Sequence, residues 1–365
     1  MRVAQILYAG LGGHGSVAFS LLDADKEGQW QPLLGFLGIE PLSVAYSENC
    51  KERGIPFSYF AAMPGKPWKT WPRIAQWLKA SRPDAIVLHS GTALVPCLWH
   101  ARRQGIPLVV VEHQANALKK RSDWIFSHLA MTLADGVVVL TPDYQQELKF
   151  RLGMFYRSGR VHVIPNGINT NRFIPICSPV KRARTVRLGM ASRFTKTKRH
   201  DVLMKMMVEL HRREPEIDWH LSLAGDGERW ADFRHEIKVR GFEESVTLPG
   251  QLDEPKLIVW YQSIDIYLHA SEGETLSTSL LQAMATRLPI VASDVPGIRN
   301  LLGGEPTCGV LIEGQSPQGF AEAVIELSNK PSRAEALAQS GRRLAMLSYS
   351  QDKMFARYAK LFSHA

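Results

Sequence analysis

"HASEGETLSTSLLQAMATRLPIVASDVPG" fills residues 269–297. An acidic loop runs into an apolar helix, "SLLQAMA"; the aliphatic run "LPIVASD" follows and stops at a Val-Pro-Gly turn. Loop, helix, strand and turn in this order predict an α/β sheet whose strands are buried on both faces. Ser277 and Thr278 stand where the helix should begin and fit an N-cap region. The unpaired backbone N–H groups of such a start can hold phosphate oxygens.

The same grammar extends upstream. "VRLGMAS" reads as a strand, and "RFTKTKRH" after it places Arg193, Lys196, Lys198 and Arg199 at a helix start. Cations are unfavourable there, because the helix dipole is already positive. Their concentration makes sense if an anion such as a diphosphate sits between them and the helix. "LAGDGE" closes another strand with a tight turn at Gly225.

Further out, "QILYA", "PLLGFLG", "AIVLHS", "PLVVVEH", "GVVVLT" and "VHVIP" form a first strand series. "VRLGMAS", "DWHLSLAG", "SVTLPG", "DIYLHA", "PIVASD" and "GVLIEG" form a second. The connector "PNGINTNRFIPICSPVKRART" has no periodicity. Two doubly wound parallel-sheet domains are predicted, residues 1–168 and 169–344, with ligands at the C-terminal ends of the strands in the crevice between them. A last helix is expected over about residues 345–365.

Bulk properties agree. A chain of 365 residues is long for one core, and 45% hydrophobic with 22% charged residues describes a globular protein. The net charge of +9 should attract anions. Cys50, Cys97, Cys177 and Cys308 make no metal pair and no disulfide framework, which suits a reducing cytosol. No apolar run reaches membrane-spanning length, and "MRVAQILYAG" reads as a first strand, not a signal peptide. A cytoplasmic protein is expected. No nucleic-acid module is present in the sequence.

Together these motifs resemble retaining glycosyltransferases of the GT-B fold, specifically glycosyltransferase family 4. "VIPNGIN" looks like that family's interdomain segment, and "ASRFTKTK" like its diphosphate-binding stretch. The family's E-x7-E motif puts Glu274 at its first acid and Gln282 at its second, where the family carries Glu. By resemblance the second position contacts the nucleotide ribose, and a Gln amide oxygen can still accept a hydroxyl hydrogen bond. The resemblance assigns catalytic roles to His113, Glu274, Arg193 and Lys198. It gives the donor diphosphate and sugar to Gly13, His14, Arg193, Lys198, Leu276, Ser277 and Thr278, and the nucleotide to Gly225, Gln251, Leu252 and Gln282. It implies transfer of a hexosyl group from a UDP-sugar, UDP-glucose leading, to a saccharide or lipid-linked acceptor, with no cofactor. The first domain would hold the acceptor and the second the donor, in cell-envelope or exopolysaccharide synthesis. The resemblance also implies that the last helix packs back on the first domain.

"AGLGGHGS", Ala9 to Ser16, spells GxGxxG after the first strand. That is also the fingerprint of a nicotinamide enzyme, whose ribose acid would be Glu40. A dehydrogenase leaves the second series of motifs unexplained; in the resembled family the same loop approaches the donor diphosphate, where backbone must come close without a Cβ. A non-catalytic sugar-nucleotide binder is a further alternative. "DAD", Asp23 to Asp25, reads as a helix end rather than a metal site. "GKPWKTWPRIAQWLKASR" (65–82) and "LKKRSDWIF" mix Trp with Lys and Arg. Each is either an ordinary amphipathic helix or a peripheral contact with the inner face of a membrane.

Overall fold

The computed structural model describes residues 1–10, 13–176 and 185–362, which separate into two compact units. Met1–Gly167 and the chain from Gln351 onward form the first; Ile168–Ser350 form the second. Leu11 and Gly12 of the glycine loop and residues 177–184 of the connector lie outside the described residues.

The first unit holds seven parallel strands: β1 (Arg2–Tyr8), β2 (Gln31–Gly38), β3 (Phe57–Ala61), β4 (Ala85–Leu88), β5 (Leu108–Glu112), β6 (Gly136–Val139) and β7 (Val161–Val163). Their spatial order is β3-β2-β1-β4-β5-β6-β7, so it reverses between β1 and β4. The central strands are buried along their length, which is why they read as aliphatic runs. Strand β3 is absent from the predicted series. It lies at the sheet edge, mostly half-buried, and its sequence FSYFA has no aliphatic run to signal it.

The second unit has six parallel strands: β8 (Thr185–Ala191), β9 (Asp218–Ala224), β10 (Val246–Gly250), β11 (Ile266–His269), β12 (Ile290–Ser293) and β13 (Val310–Ile312). The order is β10-β9-β8-β11-β12-β13, reversing between β8 and β11. The helix His200–Arg213 buries Leu203, Met207 and Leu210 at helical spacing, against a core that includes Trp219 and Phe320. Both units are doubly wound α/β sheets, the class the strand runs predict.

The expected terminal helix over about 345–365 is interrupted. One helix, Pro331–Ser348, ends before Tyr349, and the last, Gln351–Phe362, begins after Ser350. The break has a local cause: the Ile168 N–H donates to the Tyr349 carbonyl at 2.9 Å, and Ser350 bridges Ile168 as a strand would. The last helix then buries Met354, Phe355 and Tyr358. Trp30, 5% exposed and directly before β2, packs on this helix, its ring 5.0 Å from Phe355 and 5.8 Å from Phe362.

Removing a packed aromatic of this kind costs about 3–5 kcal/mol. Trp30→Ala should therefore lower the urea midpoint of the first unit. It should also raise amide exchange across residues 351–362 and leave residues 200–213 protected as before.

Candidate functional site

A polar cluster of the second unit lies where β8 and β11 end side by side. Ligands of open α/β sheets bind at such a reversal of strand order, outside the C-terminal strand ends. Two loops meet there, 192–199 after β8 and 270–277 after β11. Their backbones are stitched together: Arg199 N–H donates to Ala270 O at 3.1 Å, and Glu272 N–H to Thr197 O at 2.9 Å. Arg199 adds ion pairs to Asp201 at 2.9 Å and Glu272 at 3.1 Å.

Glu274 is the centre of the cluster, with a side chain 12% exposed. The Lys198 ammonium pairs with its Oε1, and His269 Nε2 lies 2.8 Å from the same oxygen. Burial alone would raise the Glu274 carboxyl. The Lys198 charge and the His269 hydrogen bond outweigh it and hold the group well below the usual carboxylate range. Burial keeps the His269 ring below its ordinary value and so neutral. Its Nε2–H donates to Glu274, and its Nδ1 lies 3.4 Å from the Tyr267 hydroxyl. Arg193 is exposed, and among the described residues no carboxylate pairs with it. Of the two cations assigned to a diphosphate, Lys198 is thus already compensated and Arg193 is not.

Two glycines make this geometry feasible. Gly225, φ +134°, follows β9, and a Cβ there would stand 1.9 Å from Ser192 O. Its N–H donates to Gly250 O at 2.8 Å, which ties in the turn bearing Gln251 and Leu252. A Cβ on Gly297 would stand 2.1 Å from the carbonyl oxygen of Glu274 and 2.5 Å from that of Thr275. The helix Pro296–Leu302 can thus approach the Glu274 loop only because residue 297 lacks a side chain.

Ser277 occupies the N-cap position of the helix Thr278–Ala285 but makes no cap hydrogen bond; its Oγ lies 3.0 Å from that of Ser279. Leu276 is buried beside it. Gln282, 9% exposed, has its Oε1 3.2 Å from the Tyr261 hydroxyl. The Tyr261 ring neighbours Tyr267, centroids 5.6 Å apart, so both ends of the E-x7-E stretch join one buried polar chain. The sequence reading missed Tyr261, Tyr267 and His269. The visible signal for His269 was a histidine closing an aliphatic strand, the same signal that singled out His113.

In the first unit, His113 follows β5 and is half-buried, its Nε2 2.9 Å from His89 Nδ1. His89, 3% exposed, follows β4, and its Nε2 lies 3.3 Å from Oε1 of the fully buried Gln5 on β1. Sequence reading did not single out His89. Gly13 and His14 fall in the first turn of the helix Gly13–Ala24. The "DAD" carboxylates have structural partners: Asp23 pairs with Arg53, and Asp25 accepts the N–H groups of Gln29 and Trp30. The basic, Trp-rich segments divide. Trp71 donates to Thr92 O at 2.9 Å and Trp77 packs on Phe60, whereas Trp68 is exposed. Lys119 is not a surface cation: its side chain is 1% exposed, paired with Glu112 at 2.8 Å and set over the Trp124 ring.

Residues 36–172 match the model of "Glycosyltransferase Family 4", and residues 185–330 that of "Glycosyl transferases group 1". The chain belongs to the family 4 glycosyltransferases. It is 26% identical over 299 residues to a D-inositol 3-phosphate glycosyltransferase of Arthrobacter sp. (strain FB24), covering 74% of this chain and 69% of that protein. It spans 64% and 66% of the length of two further D-inositol 3-phosphate glycosyltransferases, from Paenarthrobacter aurescens and Streptosporangium roseum. Its fold is similar to that of Anabaena Alr3699/HepE, solved in complex with UDP-glucose, at a TM-score of 0.83 with 18% identity and full coverage of both chains. This family 4 chain therefore has the GT-B fold, and the two motif-bearing loops of its second unit lie within the stretch matched by the glycosyl transferases group 1 model.

Position 297 gives one check on the site. Gly297→Ala must displace the Glu274 loop, and displacements near 1 Å cost turnover on the order of a hundredfold. Its thermal midpoint should fall by far less than that loss of rate suggests. A second check uses His200, which burial holds down to about 3 and which stacks on Phe194 at 4.1 Å. The folded chain keeps this ring neutral while the unfolded chain takes up a proton near 6.5. Its contribution is thus complete above about pH 6.5 and declines as pH falls toward about 3. Urea midpoints at pH 7, 5 and 4 should drop progressively, and His200→Asn should flatten that slope.

Proposed function

We propose that this glycosyltransferase moves a hexosyl group from a UDP-sugar, with UDP-glucose the leading donor, to a hydroxyl of a saccharide or lipid-linked saccharide, with retention of configuration. The observation that carries the reading is the stitched pair of loops at the β8/β11 reversal, which sets Lys198, Arg193, Glu274 and the start of helix Thr278–Ala285 in one region. The second unit would bind the donor. The first would bind the acceptor, with His113 beside the reacting sugar and Gly13 and His14 near the diphosphate. A UDP-glucose complex of Anabaena HepE, a protein of similar fold, supports a UDP-linked donor. A role in cell-envelope or exopolysaccharide synthesis fits a relative named for a polymeric acceptor, the poly(ribitol-phosphate) alpha-N-acetylglucosaminyltransferase of Staphylococcus aureus; it is 22% identical over 77% of this chain, which spans 55% of that protein.

The chemistry needs the departing diphosphate stabilised as its charge grows. Arg193, with no carboxylate partner among the described residues, supplies a cation at the strand end, and the helix N–H groups of 278–280 supply dipoles. Lys198 can share its charge between Glu274 and an incoming phosphate oxygen. These groups carry the neutralisation without a metal ion or other cofactor. Glu274, held ionised, accepts hydroxyl hydrogen bonds from the transferred sugar; Gln282 serves the ribose, with Gly225, Gln251 and Leu252 around the nucleotide.

Transfer should be detected by screening UDP-, GDP- and ADP-hexoses for donor hydrolysis, with anomeric configuration read by proton NMR. Titration with UDP should give binding and with NAD none. Turnover should survive EDTA; strict dependence on Mg²⁺ or Mn²⁺ would contradict the metal-free assignment. Arg193→Ala should lower turnover roughly tenfold to a hundredfold, at about 1.4 kcal/mol per tenfold, with thermal stability unchanged. Glu274→Ala should damage transfer more than UDP affinity, and Gln282→Ala should weaken UDP itself.

A further inference from the structure

Phe150 and Met154, 86% and 83% exposed, are the most exposed large hydrophobic side chains among the described residues. They close the helix Pro142–Leu152 and the 3₁₀ turn Gly153–Phe155. Neither helps the core: the helix buries Tyr144, Leu148 and Leu152 on its other side. The stretch "KFRLGMFYRSGR", residues 149–160, carries Lys149, Arg151, Arg157 and Arg160 and not one carboxylate. Arg160 is spent on the Thr132 and Ala134 carbonyls; the other three are exposed.

A second segment continues the same face. The Arg151 guanidinium lies 5.6 Å from the Trp124 ring, and Phe155 lies 5.6 Å from His128, so the turn is held against the helix Arg121–Leu133. That helix presents Ile125, 61% exposed, one turn beyond the exposed Arg121. Its early carboxylate, Asp123, is engaged by the Lys120 N–H. The result is one surface with protruding apolar tips set among exposed cations.

We propose that this face of the first unit docks on an anionic phospholipid bilayer. Apolar side chains that enter the headgroup–acyl boundary, ringed by Lys and Arg, are what such a surface recognises: area burial and attraction to anionic lipid add together. A protein partner of ordinary composition would offer carboxylates but has no need of side chains that stand this far from the fold. In the Trp-rich segment 65–82, Trp68 is the exposed tryptophan, while Trp71 donates to Thr92 O and Trp77 packs on Phe60. The proposal rests on the proposed function only for its purpose, access to a lipid-linked acceptor, and its physical content is independent of the donor chemistry.

The test is co-sedimentation of the full chain with vesicles of phosphatidylcholine containing phosphatidylglycerol, and with phosphatidylcholine alone. Binding is expected to the anionic vesicles at low salt, at least tenfold weaker on neutral ones, and reduced by added salt. Phe150→Ser with Met154→Ser should abolish most of it, as should Lys149→Glu with Arg157→Glu. Trp68→Ser should leave it unchanged. UDP-sugar hydrolysis and thermal midpoint should be retained in all three, since none of these side chains is buried. The proposal is overturned if no vesicle binds, if the Phe150/Met154 variant binds as the parent does, or if that variant instead turns a self-associating chain monomeric without changing lipid binding. Failure of donor hydrolysis in the parent would count against the proposed reaction and leave vesicle binding to be judged by itself.

Discussion

Glu274 is a carboxylate kept ionised with only 12% of its side chain exposed, and the second unit's site is arranged around that fact. An isolated buried charge is very costly, so the fold supplies a cation from one loop and a neutral imidazole N–H from the adjacent strand end. Breaking such a pair by removing one partner typically costs about 3–5 kcal/mol, because the remaining charge is left uncompensated. The pair therefore does two things. It fastens the loop after β8 to the loop after β11, and it stores a lysine beside the place where phosphate charge would arrive. The two effects are separable by comparing cations: Lys198 is bound into the scaffold, whereas Arg193 on the same loop is not.

Backbone contact sets the tolerance of this arrangement. Ser192 and Phe194 pair with Ala224 and Asp226 through their amides at 3.0 and 2.9 Å, which presses the basic loop onto the turn at Gly225. Gly297 does the same from the other side, under the Glu274–Thr275 peptide. Main-chain atoms fixed this closely leave the charged side chains little freedom to collapse onto other partners. Preorganisation of that kind, with charges held in place before substrate arrives, is what makes electrostatic stabilisation effective in catalysis.

Much of this was legible in the sequence, for identifiable reasons. Strands buried on both faces announce themselves as aliphatic runs, so both sheets were readable except at the edge, where β3 is largely aromatic and has no aliphatic run. Arg193 and Lys198 stood out because cations at a helix start are unfavourable unless an anion joins them, and Glu274 through its place in the E-x7-E motif of the resembled family. Tyr261, Tyr267 and His269 did not, since their importance lies in a chain of contacts across 76 residues, from Ala191 to Tyr267, that no spacing rule encodes. Lys119 was not distinguishable for the complementary reason: within "LKKRSDWIF" it looks like its neighbours, and only folding shows that Glu112, Ser127 and Trp124 enclose it. The exposed pair Phe150 and Met154 was invisible because their spacing also suits a buried face.

The two units also solve one problem in the same way. In each, a histidine closes the strand that follows the reversal of order: His89, 3% exposed, comes directly after β4, and His269, fully buried, is the last residue of β11. A position at the C-terminal end of a central strand is too buried to carry a charge cheaply, yet it borders the loops where polar chemistry is placed. A neutral imidazole meets both conditions, because it can accept on one nitrogen and donate on the other. His269 uses Nε2 to hold Glu274, with Tyr267 at its other nitrogen. His89 stands between Gln5 and His113, so its tautomer determines whether His113 donates or accepts at Nε2. A His89 that donates from Nε2 to Gln5 Oε1 accepts at Nδ1 and so takes the Nε2–H of His113, which ties the proton at His113 to the buried strand β1.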